Sequence, residues 1–196
     1  MAQQVTPEEF KKKMQNYVED LIRTQVDTVA EIGSTLNGEI KARIFNRGIN
    51  AKQRKIGQYS TKPILIGSSS FINKSSANKV LGSKAKRRKL PWVTLDKKRL
   101  AVLQGGYKQL RGLNKRNDSY VDLQFRGDLF RSIRLRQKKG LSTMLISKDI
   151  EVVKARANEA RFKSPIFSVS KRELKKAQFI EQKNFFRVFR KYFGNG

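Results

Sequence analysis

The sequence predicts an α+β fold: a long N-terminal helix, a small antiparallel sheet with a β-hairpin, and further packing helices including a C-terminal helix. Three observations predict it. Apolar residues recur at mostly three- and four-residue steps from Phe10 to Ile44, the spacing of one helical face. Ile133 and Leu135 alternate with Arg134 and Arg136 ahead of Gly140, the pattern of a half-buried hairpin. Ser170 and Glu173 form a capping box ahead of a second periodic run. The chain, residues 1–196, is read as a single domain with a long basic loop at about 47–91 and a C-terminal helix at about 171–192.

The first helix begins at Thr6-Pro7-Glu8-Glu9, where Thr6 caps, Pro7 suits the first position and Glu9 completes a capping box. It is expected to run over about 7–46, weakened near Gly33 and Gly38, and to stop at Gly48. Glycine, serine and proline interrupt every period between 47 and 91, with strand-like pieces only at Pro63 to Ile66 and Phe71-Ile72. Residues 67–90, with few apolar anchors, are expected to stay disordered until bound. A short helix is predicted from Val93 to Leu103, capped by Thr94 or Asp96, and one more turn over Tyr107 to Arg111. Gly127 to Ser132 reads as a helical turn entering the hairpin, whose return strand is Leu141 to Ser147. Asp149 is expected to cap a helix of about 150–162, with Val152, Val153, Ala157 and Ala160 near one face.

Charge and composition bound the chemistry. Forty-four Lys and Arg against sixteen Asp and Glu give a net charge of +28. It is uneven: residues 1–33 are slightly acidic, at −2, and residues 34–100 carry +15. There is no cysteine and no histidine. Disulfides, thiol nucleophiles, Cys/His zinc sites and imidazole bases are excluded. No apolar run is long enough to span a bilayer, and no secretory signal is expected. Carboxylates are the only remaining route to acid/base or metal catalysis, and Asp118, Asp122 and Asp128, within eleven residues, are the set that could suggest a metal-dependent nuclease. Asp122, alternating with Val121 and Leu123, reads more simply as solvated. No catalytic residue, cofactor or metal is therefore expected.

The strongest local signal is Lys84, Lys86, Arg87, Arg88 and Lys89, five cations in six positions. With Arg134 and Arg136 they are the candidate contacts for nucleic acid or an acidic protein partner. Trp92 reads as a core anchor of the loop. The phenylalanines near the C-terminus read as core or subunit interface.

Several stretches carry a family pattern. They are Arg43-Ile44-Phe45-Asn46-Arg47-Gly48, Ile56-Gly57-Gln58-Tyr59-Ser60, Gly105-Gly106-Tyr107-Lys108-Gln109-Leu110-Arg111, and Val121-Asp122-Leu123 leading to Gly127-Asp128-Leu129 and Ser132-Ile133. In order and spacing, over roughly 25–147, they resemble tailed-bacteriophage neck and tail-completion proteins, with a weaker match over Ser164 to Glu173. The chain departs from that pattern after the hairpin, where a helical segment, Ile150 to Phe162, replaces an aromatic-Ala-x-x-His stretch. The resemblance implies an α+β structural protein of the virion neck, assembled in the host cytoplasm as a homo-oligomeric ring of six or twelve copies. Its implied partners are the portal or head connector, tail proteins and the packaged double-stranded DNA. The basic loop and the Arg134/Arg136 face would then meet acidic ring partners or the DNA in the channel. The rival reading is a cytoplasmic nucleic-acid-binding protein of ribosomal-protein type, which the high charge, the long basic loop and the lack of a catalytic set also fit. Assembly state separates the two.

Overall fold

The computed structural model describes residues 6–72, 74–81, 90–96, 98–124, 127–138 and 140–194. The fold is α+β. Helix α1 (Pro7–Lys41) starts at the expected capping box: Glu9 N–H donates to Thr6 Oγ1 at 3.3 Å, and Thr6 N–H to Glu9 Oε2 at 2.9 Å. It runs on into a π-helical turn, Ala42–Asn46, and the chain turns at Gly48 with φ +63°.

The glycines do not break α1. Gly33 lies against the hairpin of strands β4 (Ile133–Lys138) and β5 (Leu141–Ile146), beside Ser142 and Leu135. A Cβ there would lie 2.5 Å from Ser142 Cβ, so glycine is required by the approach of the strand. Gly38 faces open space. The hairpin has the expected pattern. Ile133 and Leu135 turn toward α1, while Arg134 and Arg136 are exposed on the other face. The helical turn α4 (Asp128–Ser132) leads into it from Gly127, at φ +82°.

Two expectations are corrected. Val93 to Leu103 is a hairpin, not a helix: β2 (Trp92–Leu95) pairs antiparallel with β3 (Lys98–Leu103). Asp96 at φ 48° begins its turn. Helical spacing would bury Leu95 with Leu103. The structure exposes Leu95 and buries Ala101 and Leu103, a period of two. β1 (Ile64–Ile66) completes the sheet on the other edge of β3, giving the order β1-β3-β2. Trp92 therefore lies in a strand, packed against a core as expected of an anchor.

The second correction concerns residues 67–72 and 74–81. They are ordered by a 3-10 turn at Ser68–Ser70 and helix α2 (Lys74–Leu81). Phe71 and Ala77 supply the anchors, both buried in a core with Ile66, Ala101, Leu103 and Leu110. The other core joins Ile40, Ile44 and Phe45 to Val121, Ile133 and Ile166. Helix α3 (Gly106–Leu113) packs on β3, and α5 (Asp149–Phe162) on α4 and β5.

Lys148, not Asp149, occupies the cap position of α5. Its buried residues are Glu151 and Ala155, whereas Val153 is exposed. Apolar side chains are scattered around this helix, so its inward face could not be read from the valines.

Helix α6 (Lys171–Phe193) starts at the expected Ser170/Glu173 box and lies antiparallel along α1. Asn184 Nδ2 donates to Thr28 Oγ1 at 3.0 Å, and Lys191 Nζ to Asp20 Oδ2 at 2.6 Å. Tyr192 Oη also donates to Asp20, at 2.7 Å. These two donors, Lys191 first, hold the Asp20 carboxyl below the usual aspartate range.

Candidate functional site

The family-like motifs meet at two buried ion pairs. At the first, Arg111 on α3 sends Nη2 to both carboxylate oxygens of Asp122 at 2.8 Å. Tyr59 Oη donates to Asp122 Oδ1 at 2.8 Å and accepts from Asp122 N–H at 3.1 Å. The guanidinium lies 4.4 Å from the Tyr59 ring centre. Burial pushes the Tyr59 phenol well above its ordinary range, so the hydroxyl stays a donor. At the second pair, Arg43 Nε donates to Glu173 Oε1 at 2.7 Å. Its other nitrogens reach the carbonyls of Ile49, Ile166 and Ser168. Both arginines are 1% exposed.

These contacts tie the motif around Tyr59 to those around Arg111 and Asp122, and the Arg43 motif to the Ser164–Glu173 stretch. The motifs thus form the internal frame of the fold. Their donors and acceptors face one another, which is what a buried charge demands.

The three aspartates singled out by sequence do not gather. Asp122 was expected to be solvated; it is 5% exposed because Arg111 and Tyr59 cover it. Asp128 takes Arg131 at 2.6 Å on the surface, and Asp118 is half-buried in the turn after α3. Among the described residues no group of three His, Cys, Asp or Glu is placed to hold a metal ion. None of the described helices is long and apolar enough to cross a membrane.

The surface carries the remaining candidates. Lys84, Lys86, Arg87, Arg88 and Lys89 lie outside the described residues. Arg134 and Arg136 stand on the outer face of β4 beside Lys138, opposite Leu145 and Thr143 of β5. A further basic surface escaped the sequence reading. The start of α6 borders an open cleft of about 780 Å³ with Thr35 of α1 and Gln53, lined by Lys171, Arg172, Lys175 and Lys176 together with the apolar Phe179 and Ile180. Glu39 beside it takes Lys176 and Arg47. The pair spacing Lys171-Arg172 and Lys175-Lys176 places all four cations on adjoining turns, a signal that was present in the sequence but hidden by a uniformly basic chain.

The apolar surface is more unusual. Four phenylalanines of α6 do not fill a core. Phe179 is 66% exposed and Phe186 50%, with Phe185 and Phe189 beside them. Phe185 and Phe189 stack on each other at 6.3 Å. The residues α6 buries against α1 are instead Ala177, Asn184 and Val188. On α1, Phe10, Val18, Ile22 and Val26 are exposed as well, at steps of four and eight. Comparison with known protein families, curated proteins and solved structures returned no match. The functional reading therefore rests on these surfaces and on the sequence resemblance.

Proposed function

We propose that this chain is a structural, non-enzymatic component of a tailed-phage virion neck. It forms a ring that joins the head connector to the tail and lines or stabilises the DNA passage. One observation carries the reading: two long helices display large apolar side chains to solvent on a chain whose net charge is +28. Exposed apolar faces of this extent mark surfaces that neighbours cover. A strong positive charge asks for acidic or phosphate-bearing neighbours. A ring component on the DNA path has both. In this reading Arg134, Arg136, the 84–89 cluster and the Lys171–Lys176 cleft meet acidic ring partners or the DNA backbone.

The cations of the cleft also favour the rival reading, a monomeric nucleic-acid-binding protein of ribosomal-protein type. The apolar helix faces oppose it, since a monomer would leave them wet. Light scattering and negative-stain imaging of the purified protein, alone and with its head connector, distinguish the two. A closed ring in either sample supports the neck reading. A strict monomer in both, with tight RNA binding, replaces it by the rival.

A further inference from the structure

Helix α6 sorts its charges by side. At about 100° per residue, Arg172, Lys175, Phe179, Lys183, Phe186 and Arg190 fall within about 40° of one line along the helix. All six are exposed. Ala177, Asn184 and Val188, which α6 buries, lie about 140–180° round from Phe179. The two acids of α6 are turned away from the line as well. Glu173 is buried on Arg43, and Glu181 borders a hollow with Leu21, Gln25 and Val188. The outer stripe therefore interleaves cations with phenyl rings over about 27 Å of helix. Phe179 and Phe186 sit about 10 Å apart along the axis, too far to stack on each other. At its N-terminal end the stripe opens into the cleft beside Lys171 and Lys176. Gln53, at φ 61°, reaches that cleft from a loop with its own supports. Asn50 Oδ1 accepts from the Lys52 and Arg54 N–H groups at 2.9 and 3.1 Å, and Ala51 N–H donates to the Pro165 carbonyl at 2.9 Å. Lys52 and Arg54 flank Gln53 and are exposed.

We propose that this stripe and its cleft bind single-stranded nucleic acid, with phosphates on the cations and bases on the rings of Phe179 and Phe186. Interleaved positive charge and exposed aromatic rings match an unpaired strand, because every nucleotide brings both an anion and a flat base face. A duplex offers its phosphates but keeps its base faces stacked inside, so it answers the cations and leaves the rings wet. An acidic peptide answers the charges and offers a flat ring only where its own sequence places one. RNA and DNA strands share phosphate and base face, so the stripe takes either. Glu39, the one acid among the described residues lining the cleft and its neighbouring hollow, is occupied by Lys176 and Arg47. The other cations of the stripe and cleft keep the field there positive. The inference goes beyond the neck reading and does not need it. It engages two phenylalanines of α6 and leaves the exposed apolar residues of α1 untouched.

The test measures binding of labelled oligothymidylate and oligouridylate to the full chain by fluorescence anisotropy. Phe179→Leu with Phe186→Leu keeps apolar side chains and removes the rings. It should weaken binding of both oligomers by about 30-fold or more and leave the salt slope in place. Changing Arg172, Lys175, Lys183 and Arg190 to Gln should instead flatten the log–log salt slope by about 3. All six positions are exposed, so both variants should keep the wild-type circular dichroism. In the wild type, which needs no variant to fold, a photoreactive thiothymidine in the strand should crosslink to the segment holding Phe179 and Phe186. A leucine variant that binds like wild type, or crosslinks confined to other segments, overturns the proposal. An equal loss of duplex binding in the leucine variant also overturns it, since the rings would then serve packing and not bases. Binding of only one of the two oligomers does the same. A monomer that passes these tests removes the ring and keeps the stripe, and a ring that fails them does the reverse.

Discussion

Replacing Arg43 by methionine removes the cation that ties the end of α1 to the start of α6. Arg43 is 1% exposed, and its three nitrogens satisfy the Glu173 carboxylate and the carbonyls of Ile49, Ile166 and Ser168. Methionine fills much of the space but donates nothing. Glu173 keeps only the Ser170 N–H, at 2.7 Å, among the partners seen here. Removing one partner of a buried ion pair costs about 3–5 kcal/mol, because the other charge stays buried without compensation. For a chain of this size, each kcal/mol moves the melting point by about 2–4 °C, so the loss should be about 6–20 °C. Glu173→Gln keeps shape and an acceptor and should cost less, about 1.5–3 kcal/mol. Arg131→Gln, at an exposed pair with a similar distance of 2.6 Å, should cost under about 1 kcal/mol. Urea unfolding at one fixed protein concentration, followed by circular dichroism, measures all three. Hydrogen exchange should also rise first at the amides that open α6. An Arg43→Met protein within about 1 kcal/mol of wild type would refute the idea that this pair frames the fold.

Gly33→Ala should destabilise by about 1–3 kcal/mol, since its Cβ meets Ser142 at 2.5 Å, while Gly38→Ala should stabilise by about 0.5–1 kcal/mol in open space. Equal effects in thermal melts would contradict the assigned roles. Asp20→Asn should lower the melting point at neutral pH. The Asp20 carboxyl is depressed on folding, so its contribution is full above the ordinary aspartate value of about 3.9 and fades as pH falls through the lower folded value. Wild type and variant should therefore converge in strong acid, and a constant gap would reject the assignment. Changing Lys84, Lys86, Arg87, Arg88 and Lys89 to Gln should flatten the log–log salt dependence of duplex DNA binding by about 4–5 if all five meet phosphates. If the cluster docks on an acidic ring partner, assembly should fall instead, and no change in either makes it a solvated surface.

The two capping boxes, the long first helix and the β4–β5 hairpin were legible because their signals are local. A cap needs residues three apart, and a hairpin face needs a period of two. The β2–β3 hairpin was not. Leu95, Leu100 and Leu103 fit a helical face, and only pairing of β3 with Ile64–Ile66, more than thirty residues upstream, made the strand alternative bury more. The turn and helix over residues 68–72 and 74–81 were hidden for the same reason, since Phe71 and Ala77 count as anchors only once β3 and α3 supply a core.

For the candidate site, the sequence alone determined composition and chemistry: the charge of +28, the absence of thiol and imidazole, and which side chains share each helical face. It did not determine what covers those faces. Periodicity groups Phe179, Phe186 and Phe189 without saying whether protein or water lies opposite. Asp122 looked solvated because Arg111 and Tyr59 arrive from 11 and 63 residues away. Burial of a charge, and exposure of an apolar row, are properties of contacts between distant segments. Only the tertiary structure, which places α6 against α1 by its small and polar residues, turns the phenylalanine row outward.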